Sequence, residues 1–216
     1  MAFDAYDDYE QSERVQKWLR QNGLSIVVGV VIGLVAIFGW QQWRNHRAGR
    51  EAAAAEIYQQ VQSAAVSGNS ERADQLTAQL TQDYSDSTYA VFGLGSQAQR
   101  QAQAGQLDKS LQSLNASLAQ AKDDGLKSLI QLRVARVELA SGKADATLTT
   151  LAQLPPKHFE GIREELRGDA LVKLGRLDDA RKAYQTALQV VGDDAPQRGA
   201  LQMKIDDLAV AGKQGA

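Results

Sequence analysis

His46 and His158 are the only two histidines in a chain of 216 residues that has no cysteine. Metal or nucleophilic chemistry would have to be built on them. His46 lies in "WRNHRAGR" and His158 in "PPKHFEG", and neither stands at ligand or triad spacing from a partner. Both read as exposed loop positions. Paired carboxylates for acid–base work would have to face each other. The candidates Asp123-Asp124, Asp178-Asp179 and Asp206-Asp207 are adjacent in the chain, and neighbours on a helix diverge by about 100°. Asp123 and Asp124 read instead as acids at a helix start, where the dipole favours them. Gly142-Lys143 has no upstream glycine at phosphate-loop spacing. The expected chemistry is recognition. No catalytic residue, cofactor, metal or small-molecule substrate is expected.

The elements that would hold a recognition surface are helical. Ala and Gln abound, proline is confined to Pro155, Pro156 and Pro196, and runs of strand-favouring residues are missing outside one apolar stretch. The net charge is −2, and residues 44–216 balance acid against base. Nucleic-acid binding needs a basic surface, so it is not expected.

The apolar stretch runs Leu24–Trp40 with Ser25 its one polar residue, and the chain has no charge between Arg20 and Arg44. As a helix rising about 1.5 Å per residue, the uncharged interval spans roughly 34 Å, enough for a hydrocarbon core of about 30 Å. Trp18 precedes it, and Trp40 and Trp43 close it, as interfacial indoles do. A cleaved signal would have a shorter apolar core after a short basic start, whereas here a long acidic segment, "MAFDAYDDYEQSER", comes first. A core helix of a small domain would be amphipathic. Residues 23–43 are therefore predicted to be a transmembrane helix, with the bilayer as a partner. Residues 1–22 are read as a mobile tail plus a juxtamembrane amphipathic segment. Gly29 and Gly33 form a G-x-x-x-G pair that could pack against another membrane helix. Arg14, Lys17 and Arg20 on one side balance Arg44, Arg47 and Arg50 on the other, so charge does not choose an orientation.

The rest of the chain, 44–210, repeats itself, and 211–216 reads as a flexible tail. A small residue is followed seven positions later by glycine at Ala98→Gly105, Ala135→Gly142 and Gly168→Gly175, with Gly68 a fainter copy. Such a glycine stops a helix by taking the left-handed conformation. Each unit is then a helical hairpin that must stack on its neighbours to bury its apolar face. Ala180, Tyr184 and Ala187 form a stripe on the last second helix; Ser110, Leu114 and Ser117 hold the same places earlier. Thr147 is less regular, and Pro155-Pro156 should truncate its helix. Leu201, Ile205 and Leu208 should let a final helix, Pro196–Val210, cap the stack.

The hairpin "LVKLGRLDDARKAYQTAL" resembles the tetratricopeptide repeat, whose period is about 34 residues. The fold expected is all-α: a single N-terminal transmembrane helix, then a tetratricopeptide-like hairpin solenoid. That resemblance implies a concave groove lined by positions ten, six and two before each hairpin glycine. The polar ones in the three clear units are Gln99, Gln103, Arg136, Glu165, Asp169 and Lys173. Together with "VQKWLRQNG" before the anchor, "GWQQWRNH" after it and "QMKIDDL" near the end, the chain resembles the YfgM-like family of ancillary SecYEG translocon subunits. The resemblance implies a bacterial inner-membrane scaffold with a cytoplasmic N-terminus and a periplasmic repeat domain. It also implies the SecYEG translocon and a PpiD-like membrane-anchored periplasmic chaperone as partners. Two other readings remain: a periplasmic holdase chaperone, and an envelope scaffold independent of secretion.

Overall fold

The computed structural model describes the backbone of residues 4–192 and 195–214, and side chains over 13–192 and 195–208. Residues 1–3 of the tail expected at the N-terminus, and 215–216 of the one expected at the C-terminus, lie outside these. Every described regular element is an α-helix: α1 Asp4–Val66, α2 Ser70–Asp83, α3 Thr88–Gln103, α4 Leu107–Gln120, α5 Asp124–Ala140, α6 Ala144–Ala152, α7 Glu160–Lys173, α8 Leu177–Val190 and α9 Gln197–Gln214. The chain divides into two units, Met1–Arg50 and Glu51–Ala216.

In the first unit the segment expected to be a mobile tail is helical from Asp4. The reason is cooperativity: extending an existing helix fixes one residue per bond, whereas starting one fixes three. His46 is correspondingly an exposed helical residue and not part of a loop. The most apolar window of α1 is 0% buried. Val27, Ile32, Val35, Ile37 and Phe38 are all more than half exposed. Each such side chain left in water forgoes about 1.5–3 kcal/mol, so the segment belongs in hydrocarbon: it is a transmembrane helix.

In the second unit the hairpins follow from four glycines. Gly68, Gly105, Gly142 and Gly175 have φ of +76°, +75°, +75° and +72°. Each closes its helix with the same crossed pair of bonds. The amide after Gly105, of Gln106, reaches Gln101 O at 2.8 Å, and its counterparts are Asn69→Ala64, Lys143→Glu138 and Arg176→Leu171, each at 2.9 Å. This is the Schellman stop, and any side chain at these glycines would be strained.

The hairpins close on complementary sizes. Seven residues before the glycine stand Val61, Ala98, Ala135 and Gly168; nine after it stand Thr77, Leu114, Leu151 and Tyr184, all buried. The first series shrinks as the second grows, which keeps the volume at each crossing nearly constant. Hydroxyls at the crossings reach across: Ser110 Oγ donates to Ala98 O at 2.8 Å and Ser117 Oγ to Val91 O at 3.0 Å. Buried side chains form four clusters along the stack. Leu201 and Leu208 of α9 are buried in the last of them, with Ile205 packed against it.

Helix α6 is 9 residues long where α4 and α8 have 14. Pro155-Pro156 ends it, as the sequence predicts. His158 departs from the prediction: it is half-buried, and its Nδ1 lies 2.8 Å from Ser128 Oγ at the start of α5. The loop folds back because Arg163 donates to the carbonyls of Pro156 at 2.8 Å and Pro155 at 3.4 Å. Phe159 caps α7 with φ +52°, a left-handed conformation unusual for an aromatic residue.

Candidate protein-binding groove

Helices α3 and α5, with the part of α1 beyond residue 57, enclose a cavity of about 350 Å³. Its lining includes Tyr58, Gln62, Phe92, Gln99, Gln103 and Arg133. At one end, three aromatic rings meet: Tyr58 lies 5.7 Å from Tyr89 and 5.9 Å from Phe92, and Tyr89 meets Phe92 edge-on at 6.2 Å. Phe92 is 39% exposed, so the cluster presents an apolar face to the cavity mouth. An adjoining cavity of about 310 Å³ is lined by Gln99, Arg133 and Arg136. Arg100 is tied to Asp74, but Arg133 and Arg136 have no ion-pair partner among the described residues. The surface is thus aromatic and apolar at one end, rich in amide side chains in the middle, and cationic beside them.

Glu165, Asp169 and Lys173 lie on α7, away from these cavities. Lys204 of α9 donates to Glu165 at 2.8 Å and Asp169 at 2.7 Å; Tyr184 Oη also donates to Asp169 at 2.7 Å. The ammonium stands 5.4 Å from the centroid of the Tyr184 ring. These acids are therefore held by the capping helix, and Lys173 is exposed in the last turn of α7. So the structure brings Gln99, Gln103 and Arg136 to neighbouring cavities and sets Glu165, Asp169 and Lys173 on a separate helix.

Sequence reasoning missed Tyr58, Gln62, Phe92 and Arg133. Two of them had a signal. Applying the ten, six and two offsets to Gly68, the faintest copy, gives Tyr58, Gln62 and Val66, and all three line the cavity. Phe92 and Arg133 obey no such offset.

The Lys204 cluster sets an alkaline limit on stability. Burial pushes the Tyr184 phenol well above its ordinary 10.0, helped by the adjacent Asp169 carboxylate. Burial works against the Lys204 ammonium, but its bonds to Asp169 and Glu165 outweigh it and raise the group above 10.5. Both groups hold their proton more tightly folded than unfolded. Their contribution is complete below about pH 10 and is lost as pH rises beyond it. Thermal unfolding of the wild type should therefore weaken more steeply between pH 9.5 and about 11 than that of Lys204→Met. Parallel pH profiles would show that the Lys204 ammonium contributes nothing to this limit.

The chain matches the family model described as "Tetratricopeptide repeat-like domain" over residues 16–210. The solved structure of the MamA RS-1 ArsTM double mutant shares the fold, with a TM-score of 0.52 at 15% identity, covering 74% of this chain and 97% of that one. The ancillary SecYEG translocon subunit of Escherichia coli is 30% identical, over 94% of this chain and 98% of its own. The protein of the same name in Haemophilus influenzae is 29% identical, over 96% and 100%. That in Neisseria gonorrhoeae is 23% identical, over 94% and 97%. With residues 16–210 matched by the family model and nearly the full chain by a relative 30% identical, this chain belongs to the tetratricopeptide repeat-like family of ancillary SecYEG translocon subunits.

Proposed function

We propose that the chain is a non-enzymatic scaffold that stands beside the SecYEG translocon and presents its repeat domain to a second partner. The observation that carries this reading is the near-full-length similarity to proteins named as translocon subunits, anchor included. The anchor sits in the bacterial inner membrane, with the N-terminus cytoplasmic and the domain periplasmic. The second partner is a PpiD-like membrane-anchored chaperone, so that emerging chains meet it at the channel exit. Tethering raises local concentration, and each contact can then be weak. The groove offers the partner an aromatic anchor at Tyr58, Tyr89 and Phe92 and unpaired cations at Arg133 and Arg136, the mixture found at energetic centres of interfaces. The G-x-x-x-G pair Gly29 and Gly33, where an added Cβ would meet nothing within 4 Å, is available for packing against a channel helix. Lys173, exposed on α7, offers a separate cationic contact, while Glu165 and Asp169 seat the capping helix through Lys204.

The test is affinity purification of the full-length chain from membranes in mild detergent, with quantitative mass spectrometry. Channel subunits and a periplasmic chaperone should be enriched over a control carrying the anchor alone. Their absence, with other envelope proteins in their place, would favour a scaffold independent of secretion. Within the same experiment, Phe92→Ala with Arg136→Glu should lower chaperone retention about tenfold or more, since truncating a central interface residue costs about 2 kcal/mol. Unchanged retention would remove the groove as the contact surface.

A further inference from the structure

The helix leaving the membrane has a side. At 3.6 residues per turn, Trp40, Trp43, Arg44, Arg47 and Arg50 fall within an arc of about 120°. The opposite face carries Gln41, Gln42, Asn45 and Gly49, with no charge. Ordinary interfacial anchoring has no need of a side, because lipid surrounds a single helix completely. The structure joins three members of this face: the Trp40 and Trp43 rings lie 5.2 Å apart, and the Arg47 guanidinium stands 5.6 Å from the centre of the Trp43 ring. The two tryptophans are more than half exposed, and Arg44 and Arg47 are exposed beside them. Arg44 and Arg47 have no ion-pair partner among the described residues, and Glu51, one turn beyond Arg47, instead accepts from Ser87 Oγ at 2.6 Å. The other end of the anchor differs: Arg14, Lys17 and Arg20 follow Glu10 and Glu13 closely.

We infer that this face is a binding site for the headgroup of an anionic phospholipid, in the leaflet on the repeat-domain side. The order along the helix favours lipid over an acidic protein surface. Phe38 suits hydrocarbon, Trp40 and Trp43 the ester region, and Arg44 and Arg47 the phosphate level about 6 Å beyond each indole. Two guanidiniums can fork onto one phosphodiester, while the indoles flank its glycerol. A bound acidic lipid would fix the rotation of the anchor about its own axis, and so the direction in which it presents the Gly29 and Gly33 face. That consequence does not depend on which protein the domain binds.

The test uses the full-length chain with Trp18→Phe, which leaves Trp40 and Trp43 as its only tryptophans. It is reconstituted in mixed phosphatidylcholine and phosphatidylglycerol vesicles, in which one lipid or the other is brominated. Brominated phosphatidylglycerol should quench the tryptophans at least about twofold more than brominated phosphatidylcholine at the same mole fraction, and Arg44→Gln with Arg47→Gln should abolish the preference. A relocated variant keeps the net charge: Arg44→Gln and Arg47→Gln combined with Gln41→Arg and Asn45→Arg. It too should lose the preference. Equal quenching by both lipids in the parent chain would overturn the site. So would a preference that survives relocation, because bulk charge would then explain it. If lipid quenching is equal but Arg44→Gln with Arg47→Gln releases the translocon on purification, the face meets an acidic protein surface and the lipid site is wrong.

Discussion

Gly168→Ala, a change that stabilises most helices, should destabilise this domain by about 2 kcal/mol. In an open helix, alanine gains about 1 kcal/mol over glycine because it restricts the unfolded chain. Here a Cβ would lie 2.3 Å from Tyr184 Cε1, 2.5 Å from Cδ1 and 2.9 Å from Cζ. The ring cannot swing aside. It is 3% exposed, its hydroxyl is bonded to Asp169, and Lys204 sits against its face. Overpacking of this kind costs about 1–3 kcal/mol, and at a locked aromatic the upper part of that range applies. For a domain of this size the loss corresponds to about 4–8 °C in Tm.

Gly199→Ala in α9 is the matched reference, because nothing lies within 4 Å of its added Cβ. It should be neutral or raise Tm by up to about 4 °C. The size series at the crossings supplies a rescue. Ala98 with Leu114 and Ala135 with Leu151 close the two central hairpins, so Gly168→Ala in the Tyr184→Leu background copies a pairing that the molecule already uses. There the alanine should cost less than about 0.5 kcal/mol, although Tyr184→Leu itself forfeits its bond to Asp169, worth about 1 kcal/mol. If Gly168→Ala raises Tm as Gly199→Ala does, the crossing is looser than its geometry implies.

These elements also mark what the sequence displays and what it hides. The hairpin glycines are legible because a left-handed stop is a local requirement, satisfied by one residue type and its immediate neighbours. The anchor is legible because solvation is additive along a helix. The groove is only partly legible. Gln99, Gln103 and Arg136 follow from an offset, and the same offset at Gly68 reaches Tyr58 and Gln62. Phe92 and Arg133 enter from different turns of α3 and α5, and only the stacking of one hairpin on the next brings them together. Glu165 and Asp169 satisfy the offset too, yet Lys204, 35 residues or more along the chain, takes up their charge. His158 is the plainest failure of local reading. Two prolines suggest an open loop, but three residues into α7 an arginine pulls their carbonyls inward and carries the imidazole onto Ser128.

That arginine should be a costly truncation. Arg163 is 15% exposed, and its Nε lies 3.2 Å from an oxygen of Glu164, which is 8% exposed. The same guanidinium holds the carbonyls of Pro155 and Pro156. Arg163→Met therefore strips a buried carboxylate of its better-buried partner and takes the donor from the Pro156 carbonyl, while Pro155 O keeps the His158 amide at 3.0 Å. Removing one member of a buried pair costs about 3–5 kcal/mol. Glu164 keeps Arg167 at 3.1 Å, but that side chain is 52% exposed and its contact is weakened by solvent. The net expectation is about 2–4 kcal/mol, read as a fall in Tm of roughly 4–15 °C. The loss should be local as well as global. Hydrogen exchange and proteolysis should accelerate around residues 153–159 before they accelerate at the Schellman stops. A paired change separates charge from packing. Arg163→Met with Glu164→Leu leaves no uncompensated buried charge, so it should recover at least about half of the stability lost by Arg163→Met alone. If the double variant is no better, the arginine acts by holding the proline carbonyls and not through the ion pair.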